Sequence, residues 1–463
     1  MKALPVSLLE QIKSVKGFRY EEFLAAHKDL PRTSVRINPF KKFSGFTTAE
    51  CVPWCSEGKY LSERPVFTLD PAYHAGAYYV QEASSMFTGF LAGKFTEGKS
   101  NLRVLDLCAS PGGKSTHLAS VLGQDSLLIS NDVIRSRATI LEENITRWGY
   151  MNTWVTCNDP TSFGQLKSYF DVILIDAPCS GSGLFRKNEK AIDEWNESLV
   201  ELCCERQKRI IADAWPALKE DGILIYATCS YSIKENEDIL DWMGQHMSVT
   251  GINIDVPADW GIITVESLVK GLPCYRFFPD RVNGEGFFIA AIRKNEDSGN
   301  LKIQKNKIPG SIKLKTLPGD LWNLGLDETI IRNEANGSYL ALNSAHTADH
   351  ELLKSKLYFR KTGTSLGEAA HNDWIPDHES ALSIHLPENV PNIDLNLAEA
   401  LRYLKKEDVG IAPRPKGWYL ARYEGLGLGW MKSLGNRYNN TLPKSLRIRM
   451  NIQDEDNGGV NDM

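Results

Sequence analysis

Val104-Leu-Asp-Leu-Cys-Ala-Ser-Pro-Gly-Gly-Lys-Ser-Thr116 reads as a strand that ends, a glycine-containing turn and the start of a helix. Gly112 and Gly113 let backbone approach a ligand closely. A helix N-terminus favours an anionic group. Three ligands suit such a loop. A dinucleotide site wants G-x-G-x-x-G, which is absent. A P-loop wants glycine where Cys108 stands, so Gly113-Lys-Ser115 alone is half a match. The third ligand is S-adenosylmethionine, with its carboxylate at the loop formed by Cys108, Ala109, Ser110, Pro111, Gly112, Gly113 and Lys114. Asp132, ending the next strand, is then placed to accept hydrogen bonds from ribose hydroxyls, and Asp159, after the third strand, to lie beside the adenine. The plain alternative is a structural turn with solvated carboxylates.

On either side of this loop, apolar runs alternate with helical stretches. The runs are Arg103–Leu107, Ser126–Ser130, Thr153–Thr156, Asp171–Ile175 and Gly222–Tyr226. Helical patterns follow at Lys114–Leu122, Ile134–Trp148 and Asp193–Leu218. Continuous apolar strands between helices predict an α/β fold, a parallel Rossmann-like sheet covered on both faces. Tyr275–Phe278 and Gly286–Ile292 predict an antiparallel pair closing one edge. Upstream, Leu8–Ala26 carries a helical pattern and Ser34–Asn38 a short strand.

The chain has 463 residues, enough for several domains, and a net charge of only -5. It is therefore not a basic nucleic-acid protein in bulk, and local clusters must be judged separately. No apolar run approaches the roughly 20 residues of a membrane-spanning helix, and the first residues lack a signal-peptide core. No membrane partner is expected. Nine cysteines include no C-x-x-C pair, which argues against a zinc site or a disulfide framework and for reduced thiols in a cytoplasm.

Two of those cysteines end strand runs. Cys179 lies in Phe170-Asp-Val-Ile-Leu-Ile-Asp-Ala-Pro-Cys-Ser-Gly181, and Cys229 in Gly222-Ile-Leu-Ile-Tyr-Ala-Thr-Cys-Ser-Tyr231. A parallel sheet presents its strand ends around one crevice, so both thiols can work on one ligand. Covalent attack on a flat, electron-poor ring needs a thiolate, and its release needs a second acid or base. The sequence does not choose between the two thiols. Cys157, Cys203, Cys204 and Cys274 read as core residues, and His74 and His117 as structural.

The set Leu105-Asp-Leu-Cys-Ala-Ser-Pro-Gly-Gly-Lys114, Asp176-Ala-Pro-Cys-Ser-Gly-Ser-Gly183 and Tyr226-Ala-Thr-Cys-Ser230 resembles the RNA cytosine carbon-5 methyltransferases of the NOL/NOP/Sun type. Flanking pieces agree: Arg36-Ile-Asn38, Tyr78-Tyr-Val-Gln-Glu-Ala-Ser-Ser85, Gln207 and Glu235-Asn-Glu237. The resemblance covers roughly residues 30 to 295. Length and the tail pieces Arg414–Trp418, Leu428–Lys432 and Gly435-Asn-Arg437 are similar to bacterial members that act on 16S rRNA. The resemblance implies an S-adenosylmethionine-dependent enzyme that makes 5-methylcytosine in 16S rRNA or the small ribosomal subunit. It assigns Cys229 as nucleophile and Cys179 as the group that assists product release. Asp176 is expected at the amidine edge of the cytosine or near the methyl donor, and Lys114 at the cofactor loop or the base. Methyl transfer needs no Lewis acid, so no metal is expected. Rival readings are the same chemistry on transfer RNA, a non-catalytic RNA-binding factor on this scaffold, and a nicotinamide oxidoreductase.

The expected organisation is an N-terminal RNA-contacting domain at 1–95, the methyltransferase at 96–295, a linker at 296–316, a β-rich subdomain at 317–390, a PUA-like RNA-binding domain at 391–452 and a disordered tail at 453–463. Residues 402–450 hold eleven cationic residues against three acids, with Tyr403, Trp418, Tyr419, Tyr423, Trp430 and Tyr438 interleaved. Such a mixture suits phosphate contact and base stacking, although single aromatics such as Trp418 read better as core. Arg186 and Lys187, beyond Cys179, are expected to meet substrate phosphates. A monomer is expected.

Overall fold

Strands that are apolar on both faces require a sheet covered on both sides. The computed structural model, which describes residues 2–299, 328–332, 337–370 and 373–450, contains that sheet. Its centre is β1 (Arg103–Asp106), β2 (Leu127–Asn131), β3 (Thr153–Thr156), β4 (Phe170–Asp176) and β5 (Leu218–Thr228). All five are parallel, in the order β3-β2-β1-β4-β5. The order reverses between β1 and β4, and the crevice at the carboxyl ends of such a switch point is where ligands bind.

Beyond β5 the sheet turns antiparallel through β6 (Ile263–Glu266), β7 (Pro273–Phe277) and β8 (Phe287–Lys294), in the order β5-β8-β7-β6. The predicted pair is present, with Tyr275 opposite Ile289, but it does not close the edge. The outermost strand is β6, and a short strand at Val249–Gly251 adds to β8. At the opposite edge, β9 (Phe359–Lys361) runs antiparallel to β3.

Helices cover both faces. Leu105, Ile129, Ile173, Tyr226 and Ile292 point to one core, and Val104, Leu128, Val172, Ile225 and Ile289 to the other. Each such side chain contributes about 1.5–3 kcal/mol by burial. The patterns at 114–122 and 134–148 are α3 (Gly113–Val121) and α4 (Arg135–Trp148). Two other predicted helices are each broken. Leu8–Ala26 is α1 (Val6–Ile12) and α2 (Tyr20–Ala26), separated by a turn in which Gly17 takes a φ of 82°. Asp193–Leu218 contains the end of a short helix, Lys190–Glu194, and then α5 (Glu197–Ala214). Asn196 starts α5 by accepting a hydrogen bond from the Leu199 amide, and the turn at Trp215-Pro216 ends it.

Leu8, Leu9, Ile12 and Phe23 of α1 and α2 pack into the core on one face of the large sheet, beside Tyr231 and Phe278. Ser34–Ile37 is a central strand of a four-stranded sheet with Tyr78–Val80, Cys55–Tyr60 and Glu50–Val52. Its buried Arg36 donates to the Thr116 hydroxyl at 2.6 Å and lies over the Trp148 ring, which ties this sheet to α3 and α4. Downstream, Glu328–Arg332, Ser338–Asn343, Thr364–Ala370 and Asp373–Pro376 form one four-stranded sheet. Asn392–Asp394, Gly417–Tyr423, Leu426–Ser433 and Tyr438–Asn440 form another. The expected linker from residue 300 onward and the expected disordered tail lie outside the described residues.

Buried Asp349, on the helix α6 (Thr347–Lys354), accepts from Arg103 Nε at 2.8 Å and Tyr169 OH at 2.6 Å, and pairs with His346 Nδ1 at 2.9 Å. Burial alone would raise its pKa, but these partners outweigh burial and hold it at about 2. A carboxylate depressed in the fold stabilises it above the unfolded pKa and stops doing so as pH falls through the folded one. The term is roughly 2 kcal/mol. The difference in urea midpoint between the wild type and Asp349→Asn is therefore expected to be full at pH 5 and to shrink as pH falls from about 4 toward 2.

Candidate active site

The carboxyl ends of β1, β4 and β5 deliver the candidate residues to one crevice. After β1 the chain turns through the 107–112 loop, where Gly112 takes a φ of 116° that only glycine adopts without strain. A side chain at Gly113 would stand 3.3 Å from the Tyr79 ring. Packing from outside fixes the loop. Arg137 of α4 donates to the Ser110 carbonyl at 3.1 Å, Asn144 donates to the Pro111 carbonyl at 2.8 Å, and the Ala109 amide donates to the Asn131 carbonyl.

Asp106, at the end of β1, is fully buried. One carboxyl oxygen accepts from the Ser115 hydroxyl at 2.6 Å, and the other has no partner among the described residues. Burial pushes its pKa up to about 7 against the pull of Ser115. An unpartnered buried acceptor beside a glycine turn fits the amino-acid end of S-adenosylmethionine. The sequence does not single out Asp106. Nor does it single out Asn131, whose amide joins the Leu107 and Asn158 carbonyls and so ties the ends of β1, β2 and β3 together.

Asp132 is buried at the end of β2, accepting from the Ile134 amide at 2.9 Å and pairing with Arg137 at 3.3 Å. Asp159 is exposed and caps the turn of helix at Pro160–Gly164 through the Thr161 amide and hydroxyl. Cys108 is half-buried; burial and then the neighbouring Asp106 push its thiol up, so it stays protonated and serves as packing.

Across the switch point, Asp176 ends β4 and forms an ion pair with Lys114 at 2.7 Å. Burial would lower the Lys114 pKa, but Asp176 outweighs it and the net shift is upward, so Lys114 is held charged. Its ammonium also lies 5.2 Å from the centre of the Phe287 ring. Cys179 follows β4 and Cys229 follows β5, and their sulfurs are 3.1 Å apart. The hydrogen bond with Cys229, then burial, push the Cys179 thiol well up.

Under the two sulfurs, Ser180 and Ser230 both donate to the buried carboxylate of Glu235. The Gly183 amide donates to the Cys229 carbonyl at 2.8 Å, and Gln207 of α5 donates to the Pro178 carbonyl at 3.0 Å. The structure thus brings Cys179, Cys229, Asp176 and Lys114 together, with Asp132 and Asp159 along the same row of strand ends.

Three expectations are corrected. Arg186 does not face solvent: its guanidinium is buried and turned inward to Glu285, at 3.7 Å, leaving Lys187 exposed beside it. Cys157 is half-buried at the end of β3, not in the core; Cys203, Cys204 and Cys274 are buried as expected. Of the six aromatics at 402–450, Tyr403 and Trp430 are buried in the last domain and cannot stack on a base as placed. The Lys406 ammonium is occupied by the Asn440 and Leu442 carbonyls, and Arg422 by Asp394. Arg402, Lys416, Arg437, Lys444, Arg447 and Arg449 are exposed. Among the described residues no cluster of three or more His, Cys, Asp or Glu could hold a metal ion, and no helix is long and apolar enough to cross a membrane.

Comparison with known proteins matches three parts of the chain. Residues 95–293 match the 16S rRNA methyltransferase RsmB/F family, residues 4–83 the N-terminal domain of 16S rRNA methyltransferase RsmF, and residues 390–448 the RsmF PUA domain. The chain is 30% identical over 450 residues to ribosomal RNA small subunit methyltransferase F of Shewanella piezotolerans, covering 92% of this chain and 93% of that one. It is 31% identical to the same-named protein of Shewanella sediminis, covering 94% of each. Among solved structures, a methyltransferase homolog from Pyrococcus horikoshii is 28% identical over 63% of this chain and all of its own, with a TM-score of 0.52. The NSun6 structure from the same organism, at 21% identity over 64% of this chain and all of its own, has a TM-score of 0.52 and shares the fold.

Proposed function

The chain belongs to the family of small-subunit ribosomal RNA methyltransferase F, and from that premise we propose that it uses S-adenosylmethionine to methylate carbon 5 of one cytosine in 16S rRNA through a covalent bond to Cys229. The observation that carries this reading is the 3.1 Å contact between the sulfurs of Cys179 and Cys229, beside the Lys114–Asp176 pair. We propose the N-terminal and PUA-like parts as RNA contacts, with the sequence-derived boundaries softened where α1 and α2 pack on the methyltransferase core and where β9, from the 317–390 stretch, joins its sheet. We place the protein in the cytoplasm, where its nine free thiols stay reduced. We take it to act as a monomer, since one chain supplies both thiols, the cofactor loop and the basic surface.

The loop Cys108–Lys114 and Asp106, with Asp132 and Asp159 beyond, would hold the cofactor. When bound, S-adenosylmethionine supplies an electrophilic methyl group. Carbon 5 of cytosine is a poor nucleophile until the ring carries a substituent at carbon 6. The Cys229 sulfur, as thiolate, forms a bond to carbon 6, and carbon 5 becomes electron-rich. The Cys179 thiol is pushed up by its hydrogen bond with Cys229 and then by burial, so it keeps its proton while the Cys229 sulfur attacks. Once the Cys229 sulfur is bonded to the ring, its negative charge is gone and Cys179 loses the neighbour that held its proton. Cys179 then gives its proton to solvent water and, as thiolate, takes the carbon-5 proton after methylation; the electron pair of that C–H bond re-forms the carbon 5–carbon 6 double bond, and the bond from carbon 6 to Cys229 breaks with the sulfur leaving as thiolate. Lys114 and Asp176 form a charge pair beside the two sulfurs, which supports a role for Asp176 at the amidine edge of the cytosine.

Bisulfite sequencing of RNA from strains with and without the protein tests the reading. The expected result is loss of one 5-methylcytosine from 16S rRNA. Unchanged rRNA with a signal lost from transfer RNA would overturn the substrate, and no change in any RNA would overturn the reaction.

The exposed cations at the C-terminal end predict a salt effect. Lys416→Ala with Arg437→Ala is expected to raise the KM for rRNA several-fold and leave kcat within about twofold. The log–log slope of affinity against salt should fall by about one unit for each phosphate no longer neutralised. Filter binding from 50 to about 200 mM salt reads this out.

A further inference from the structure

Two loops from different strands must hold their sulfurs against one ring. We propose that Glu235 is a positioning residue for the methyl transfer, its buried carboxylate lashing the Cys179 loop to the Cys229 loop and setting the spacing of the two sulfurs. This rests on the covalent mechanism above.

The geometry is specific. One carboxylate oxygen accepts from the Ser180 amide at 2.7 Å, and the other from the Ser180 hydroxyl at 2.6 Å and the Ser230 hydroxyl at 2.5 Å. Ser180 and Ser230 are the residues directly after Cys179 and Cys229. Glu235 is fully buried, and among the described residues no Lys, Arg or His lies within ion-pair distance of it. Its charge is met by hydrogen bonds alone: those from Ser180 and Ser230 come from both cysteine loops, and Gln207 of α5 adds a further stabilising contact. Separating the loops would strip donors from a buried charge, which is far more costly than breaking a surface hydrogen bond. Glu235 is itself held in place: the Tyr226 hydroxyl donates to its carbonyl at 2.7 Å, and the neighbouring Asn236 amide donates to the Ser230 carbonyl at 2.8 Å. Burial raises the Glu235 pKa while the serine hydrogen bonds oppose it, consistent with a carboxylate that depends on those donors.

The full-length enzyme carrying Glu235→Ala, Glu235→Gln or Ser230→Ala tests this with two readouts. The first is steady-state methylation of rRNA, with S-adenosylmethionine affinity by calorimetry as the check on folding. The second needs no RNA: diamide, reduced to its hydrazine, takes two hydrogens from Cys179 and Cys229 to form a disulfide, followed by peptide mass spectrometry. Glu235→Ala is expected to lower kcat about 100-fold with KM for RNA and cofactor affinity within about threefold, and to slow the Cys179–Cys229 disulfide several-fold. Glu235→Gln, which keeps an acceptor oxygen, is expected to recover part of both losses. Ser230→Ala, which removes one strap, is expected to cost about tenfold in kcat. Should Glu235→Ala fail to fold, Ser230→Ala decides. Wild-type kcat and disulfide rate in a folded variant would overturn the proposal. A wild-type enzyme that closes the disulfide but methylates no RNA would instead overturn the functional reading, and the disulfide rates would still decide the role of Glu235.

Discussion

Cys229→Ala is expected to abolish methylation, with a loss on the order of 10⁴-fold or more, because the ring then has no sulfur to make carbon 5 reactive. The partner substitution behaves differently. With Cys179→Ala, Cys229 still bonds to carbon 6, but the base that completes the reaction is missing, so RNA should remain attached to the protein. A denaturing gel with labelled rRNA and S-adenosylmethionine separates the two: a retarded band for Cys179→Ala, and none for Cys229→Ala. Because the two sulfurs are 3.1 Å apart, Cys179→Ala also removes the group packed against the Cys229 sulfur. If Cys229→Ala traps RNA and Cys179→Ala is cleanly inactive, the two roles are exchanged.

The next largest effect is expected at the charge pair. Asp176 is three residues before Cys179 and meets Lys114 through one carboxyl oxygen; the other carries no protein hydrogen bond among the described residues. Asp176→Asn keeps the shape and removes the charge. It leaves the Lys114 ammonium without its counter-ion in a partly closed site and takes a carboxylate away from the amidine edge of the base. A loss of about 10³-fold in single-turnover methylation at saturating cofactor is expected, similar to removing one preorganised electrostatic group from an active site. Lys114→Met should resemble it in rate. Near-wild-type turnover for Asp176→Asn would remove this residue from the chemistry.

Much of this architecture is legible in the chain because burial on both faces writes continuous apolar runs. β1, β2, β4 and β5 read that way, and the loop after β1 reads as a turn because of Gly112 and Gly113. The antiparallel β6 and the edge strand β9 do not: the two-residue alternation of Ile263-Thr-Val-Glu266 is only four residues long and partly buried, and β9 has three residues. Asn196 and Gly17 are the signals that divide two long helical patterns. The cysteines are legible as a pair because strand ends converge, whereas their roles come from the family resemblance. Glu235, Asn131 and Asp106 are not legible as site residues: Glu235 and Asn131 act through hydrogen bonds between separate loops, and Asp106 through an oxygen left unpartnered by burial, none of which a local pattern records. Arg186 is misleading for the same reason. Its partner Glu285 is about a hundred residues away in sequence, and a cation beside a candidate nucleophile looks like a phosphate contact until that carboxylate is in place.

β9 has a consequence beyond packing. It comes from the region after residue 299, yet its backbone completes the outer margin of the catalytic sheet along β3, where the Tyr358 amide and carbonyl are both bonded by Asn158. Without it the ladder of β3 ends in open donors and acceptors, the kind of surface that recruits a strand from another molecule. The C-terminal half thus covers an edge of the catalytic sheet with its own backbone. A shortened form that kept every residue of the crevice would still inherit a self-adhesive rim along β3.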